Sequence, residues 1–528
     1  MKHLMNIKQV KQAGKSGFLW ILCIVFSLFS CGKSVEHSKY IPKETALVIC
    51  LNLKEITKKA QDWYKLLNHD IPLLNIQGTD QLGRQLLTAG IDFSSPAYFF
   101  SDVSRNSAES YYAIAFKLND ESKFDDFLRS LPNQELDINA FSGMRYTLLN
   151  NKTILGWANK VALLVAKPEK STEKALKDRL IKLRDLPEDQ SLKASNDQFR
   201  RLRISEYDVA TWINVKAFDE EVKQFLKNFP LPVNVDLSNN FLTSVTQFHE
   251  GEVKMNVKLH NANESLENYQ DVVKQGIDPA LIRKVPVQSP IGVLGLGLNM
   301  KGIKDIFRLL GANLVERQTI NLTGSSPNEI MDMLSGDVLA VLKDVRPGNA
   351  KEGGKYEYVI GVGIRQQVTL DKILEKFSQE GAIEKRGSVY YAPQVEVYLI
   401  EQQNTLLITP SDSIKNSLLR KSSGRDSLAS NNDLSLLGAK SFFMLHTQLT
   451  EETRQKLPSD LFGDDKFAEG MVKFTQTPIE SVTINTLPLA NQISQTFVVL
   501  YFKEKKPNAL QLLINMIQDD QSSRKIKS

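Results

Sequence analysis

The residues of this chain that could do chemistry are a handful of histidines, one serine–lysine pair, a pair of glycines behind a strand and several doublets of acids. His37, His69, His249, His260 and His446 form no His-x-x-x-His or His-Glu-x-x-His pair, the spacings that set two ligands on one helix face. His249 and His260 flank Gly251 and are placed to meet across a hairpin, which would still leave a metal short of ligands. Ser171 and Lys174 have the spacing of a penicillin-binding nucleophile and its lysine, but neither Ser-Asp-Asn nor Lys-Thr-Gly accompanies them. A serine at a helix start is better explained as a cap for free backbone N–H groups. Gly295 and Gly297 follow a strand, yet the third glycine of a dinucleotide-binding turn falls on Met300, so close packing or a bulge explains them. The doublets Asp125-Asp126, Glu220-Glu221, Glu451-Glu452 and Asp464-Asp465 point different ways, whereas paired-carboxylate catalysis needs facing groups. Tyrosines recur at strand starts (Tyr111-Tyr112, Tyr356 with Tyr358, Tyr390-Tyr391), where cross-strand packing is favoured over stacking on sugar rings. No catalytic residue, metal site or cofactor is expected from these patterns.

The thiol of Cys31 is different, because of what precedes it. A basic arm with Lys2, Lys8, Lys11 and Lys15 leads into Phe18–Phe29, too short for the roughly 20 apolar residues of a spanning helix. Leu28-Phe29-Ser30-Cys31 resembles a lipobox, in which the cysteine is acylated after cleavage. Residues 1–30 are therefore expected to be a lipoprotein signal peptide, Cys31 the lipidation site, and residues 31–38 a polar tether. Cleavage would leave 528 − 30 = 498 residues with 62 basic groups (66 − 4) against 61 acidic ones, a net of +1. Nothing in that balance argues for nucleic acid, and none is expected as a partner. With Cys23 removed and Cys31 acylated, only Cys50 is left, so no disulfide framework stabilises the chain.

The remaining length suits two domains, and the order of its elements repeats. Ala46–Leu51 and its following helix correspond to Pro290–Met300 and the helix after it. Ala97–Val103 corresponds to Val338–Val345, Tyr112–Phe116 to Tyr358–Val362, and Val161–Val165 to Leu406–Ile408. Val209–Val215 then matches Phe442–Leu449, and Val253–Leu259 matches Thr496–Phe502, with an offset drifting between 233 and 247. Hairpins such as Met144–Val165 imply antiparallel pairing. The expected fold class is α+β, as two tandem repeats (39–285 and 286–528), each a mainly antiparallel sheet with helices collected on one face. Gly276 to Pro286 marks the boundary, where Gly and Pro break a helix.

Tyr40-Ile-Pro-Lys-Glu-Thr-Ala-Leu-Val, then Leu51-Asn-Leu-Lys and a helix, resembles a family of Bacteroidetes lipoproteins known only as a domain of unknown function. The resemblance implies an outer-membrane lipoprotein, on the periplasmic face or at the cell surface, and carries over no catalytic residue. The expected function is a lipid-anchored, non-enzymatic envelope protein that binds or scaffolds an envelope protein or glycan. The alternative is a glycan-binding protein or hydrolase whose site is assembled from dispersed residues. Loops carry binding groups, and the largest difference between the halves is the connection Arg346–Lys355. Arg346, Lys351 and Lys355 are the expected donors of a partner-binding loop.

Overall fold

The structure, a computed structural model, describes residues 36–60, 80–102, 110–131, 136–167, 171–202, 204–219, 240–260, 271–309, 319–346, 355–420, 427–431, 440–448 and 477–516, together with 434, 438 and 450. It is an α+β protein. In chain order the first ten strands are β1 (Leu47–Leu51), β2 (Ala97–Asp102), β3 (Tyr111–Lys117), β4 (Asn139–Phe141), β5 (Met144–Asn150), β6 (Thr153–Ala158), β7 (Val161–Ala166), β8 (Val209–Asn214), β9 (Phe241–His249) and β10 (Glu252–His260). The second ten are β11 (Gly292–Gly297), β12 (Leu334–Arg346), β13 (Lys355–Ile364), β14 (Glu384–Arg386), β15 (Val389–Ala392), β16 (Val397–Glu401), β17 (Thr405–Thr409), β18 (Phe443–Gln448), β19 (Ile479–Ala490) and β20 (Ile493–Phe502).

Among the described residues, one compact unit comprises 36–45 and 81–202. Its strands pair antiparallel in the order β2–β3–β7–β6–β5–β4. β6 and β7 are apolar runs, TILGWA and VALLVA, because both of their faces are covered. Leu180 of the helix Glu173–Arg184 sits where a Cβ on Gly156 would be, while Trp157, one residue on, meets Phe124 of the helix Glu121–Arg129 edge-on. Helices thus lie on both faces of this sheet, which corrects the one-face expectation.

The second unit runs antiparallel in the order β1–β8–β9–β10–β20–β19–β18–β11–β12–β13–β17–β16–β15–β14. Its helices also occupy both faces. Leu281, Ile282, Ile414 and Leu418 pack with Val293, Leu339, Val341, Leu407 and Met444 in one core. Leu370, Ile373 and Leu374 of the helix Gln367–Gln379 pack with Val362, Leu399 and Leu406, the neighbouring residues along the same strands. Pro279 ends nothing here: Asp278 caps the short helix Pro279–Lys284, with proline at the first-turn position that needs no N–H. β12 enters through a bulge between Leu334 and Val338, where Gly336 takes φ 90° and an added Cβ would stand 1.8 Å from Leu298 O.

Candidate functional site

Cross-strand register sorts the second unit's side chains into two unlike faces. Residues directly opposite in an antiparallel pair share a face, so Ile408, Ile360, Ala340, Leu294, Leu445, Ile484, Val498 and Met255 form one row across eight strands. At the ordinary strand spacing the row is about 34 Å long. Every member is part-exposed, and Leu294 is 39% exposed. The adjacent row on the opposite face holds Leu407, Leu339 and Met444, all fully buried.

Towards β19 and β9 the buried face turns polar. His446 Nδ1 meets Thr483 Oγ1 at 2.9 Å, His260 Nε2 meets Thr243 Oγ1 at 3.0 Å, and Ser441 Oγ donates to Asn485 Oδ1. Burial lowers the pKa of both histidines, so each is a neutral ring satisfied by a hydroxyl. In β19 the usual alternation is therefore reversed: Val482 and Ile484 lie on the more accessible face, and Ser481, Thr483 and Asn485 lie inside. An accessible apolar surface of this extent is the arrangement soluble proteins keep for binding.

The residues singled out in the sequence are placed as follows. Cys31, His69, Lys351 and the loop 347–354 lie outside the described residues. Arg346 ends β12 and Lys355 opens β13, directly opposite each other. His249 and His260 do not meet. The hairpin turns at Gly251, but its register sets His249 against Glu252 and His260 against Phe241, at opposite ends of the strands. Among the described residues, no three His, Cys, Asp or Glu side chains converge as metal ligands would.

The tyrosines mostly pack. Tyr111 is buried with Arg179 over its ring at 4.5 Å. Tyr391 and Tyr398 lie 5.1 Å apart, with Arg386 at 4.0 Å from the first and Lys415 at 4.0 Å from the second, so cations and a neighbouring ring take up faces a sugar would need. Lys177 sits over Tyr146 at 4.4 Å in the first unit. Hydrogen bonds donated to the Glu173 and Asp412 carboxylates hold Lys177 and Lys415 above the usual lysine range. A lysine shifted upward stays protonated and is a poor nucleophile or base.

Three polar centres escaped the sequence reading. Asp208 is buried and accepts from Lys59 Nζ at 2.7 and 2.8 Å and from the Phe248 N–H at 2.6 Å. Asp337, also buried, accepts from Lys274 Nζ at 2.6 Å, Ser335 Oγ at 2.7 Å and the Asp278 N–H at 3.0 Å. Arg145 bridges Glu121 and Asp125, and Trp157 Nε1 donates to Asp125 Oδ1 at 2.9 Å. Of these, only the i, i+4 spacing of Glu121 and Asp125 left a trace in the sequence. All three centres are charge-paired and hold elements together.

The first described segment, from Glu36 to Lys43, is held in place. His37 is buried, with Nε2 2.7 Å from Pro96 O, and Tyr98 meets its ring edge-on. Leu192 N–H donates to Ile41 O at 2.8 Å and Lys43 N–H to Gln190 O at 2.9 Å.

No curated protein matches the chain. Crystal forms I and III of TP0453 align at 12% and 11% identity, covering 44% of this chain and 81% and 84% of those chains, each with a TM-score of 0.27. A score that low carries no argument. The model of the domain of unknown function DUF4836 matches residues 38–409, and the chain belongs to that family.

Proposed function

We propose that this is a lipid-anchored, non-enzymatic envelope protein built from two tandem repeats, which binds an envelope protein partner through the apolar sheet face. The observation that carries the binding reading is the part-exposed row from Ile408 to Met255, backed by a buried core. A protein with an apolar face of its own suits that row better than a glycan, whose hydroxyls would go unpaired against it. The repeat reading is supported by strand order: β2–β3–β7–β6–β5–β4 has its counterpart in β12–β13–β17–β16–β15–β14, and β1–β8–β9–β10 in β11–β18–β19–β20. The anchor reading is supported by the basic arm, the apolar run and Cys31.

Two variants test it. Cys31→Ala should move the protein from the membrane to the soluble fraction, since acyl chains contribute about 0.8 kcal/mol per buried methylene. Retention after a salt wash would count against the anchor. Leu294→Glu with Leu445→Glu places two charges mid-row and should abolish capture of the partner that the wild type crosslinks in envelopes. Unchanged crosslinking by a variant of native thermal midpoint would sink the binding reading.

A further inference from the structure

The first described element, the 3-10 helix Glu36–Tyr40, is locked to its unit by the His37–Pro96 hydrogen bond, by buried Tyr40 and Ile41, and by the bridge between Pro42 and Ser191. Cys31 and Glu36 are five residues apart (36 − 31), so even a fully extended chain keeps their Cα atoms within about 18 Å. A clamp at residue 37 removes any further slack. We propose that the rim of the first unit carrying exposed Lys39, Lys43 and Glu44 lies against lipid headgroups, with the Asn151 end of β6 and β7 directed away. The inference rests on acylation of Cys31, and it adds which surface that anchor presents to the bilayer. Register defines the two ends: Ala158 and Val161 lie beside Lys117, the residue whose charge reaches His37, whereas Thr153 and Ala166 lie at the far end, next to the Asn151 turn.

The test uses the full acylated chain in vesicles of phosphatidylethanolamine and phosphatidylglycerol with acceptor-labelled headgroups. A donor is attached at Lys43→Cys or at Asn151→Cys, both exposed positions. Cys50 does not compete, because it is buried and burial pushes its thiol pKa up. β6, which runs between the two ends, spans about 17 Å, so transfer from position 43 should exceed that from 151 at least about twofold. Inserting roughly 30 Gly/Ser residues after Gly32, a coil spanning about 30 Å, should erase the difference. Equal transfer from the two sites, in protein whose mass carries the lipid, would overturn the orientation alone. A difference that survives the insertion would overturn the tether as its cause, and a mass without lipid would remove the anchor and this inference with it.

Discussion

His37 is fully buried with a single hydrogen-bond partner, so its proton count differs between the folded and unfolded chain. Desolvation by burial lowers its pKa from 6.5 to about 4 in the folded protein. The sign follows from linkage: below 6.5 the unfolded chain takes up a proton that the folded ring refuses, so stability present above 6.5 is lost as pH falls towards 4. The loss is on the order of 3 kcal/mol across that window. His260 and His446, also lowered by burial, act in the same direction, so the contribution of one ring must be read by difference. Urea unfolding of wild type and His37→Gln between pH 7 and pH 4.5 should give a flatter curve for the variant. Parallel curves would show that the ring is not titrating as its burial requires. The same residue holds the segment Glu36–Tyr40 to Pro96, so acid loosens that attachment.

Strands and turns respond to different constraints, and the bulge in β12 is the sharpest of them. Gly336 has positive φ, and its missing Cβ is what allows Leu298 O to approach. Gly336→Ala should cost more than about 2 kcal/mol, because it adds backbone strain to a steric clash with main chain. The check is the denaturant midpoint; a shift within error of wild type would mean the bulge relaxes without cost. Elements were largely legible beforehand. β7 is a continuous apolar run, and β11 is followed by Asn299, whose Oδ1 accepts from the Lys301 N–H as the next helix opens, so both were readable from residue type alone. β14 was not, because Glu384–Arg386 is wholly exposed and carries no pattern. Alternation also says nothing about which phase faces inward. Met444 and Leu445 are both apolar, and only the packing of Met444 into the core formed by Leu281 and Ile282 puts Leu445 outside. The candidate face was invisible for that reason, and His260 found Phe241 instead of His249 because register, not turn position, selects partners.

At the scale of the chain, the pairing of β10 with β20 joins the strand sets on either side of it. Their register runs from Glu252 opposite Tyr501 to His260 opposite Ile493 without a break. A protease site inserted in the connection 261–270 should therefore yield two fragments that still elute together, held by that ladder and the core of Phe248, Val253 and Phe502. Separation of the fragments in native buffer would refute a continuous sheet.

That same pairing sets a waiting time. Glu252 and Tyr501 are 249 residues apart (501 − 252), and closing so long a loop costs about 5 kcal/mol of chain entropy before any contact repays it. During synthesis at roughly 5–20 residues per second, β10 exists for about 12–50 s before β20 has been made. Through that interval β10 is an edge, with unpaired N–H and C=O groups open to any other chain. Its sequence is equipped for the delay: Glu252, Lys254 and Lys258 set charges along the strand, and charge on an edge discourages stray pairing. β20, ISQTFVVLYF, carries no charge at all, and it emerges to find its partner already in place.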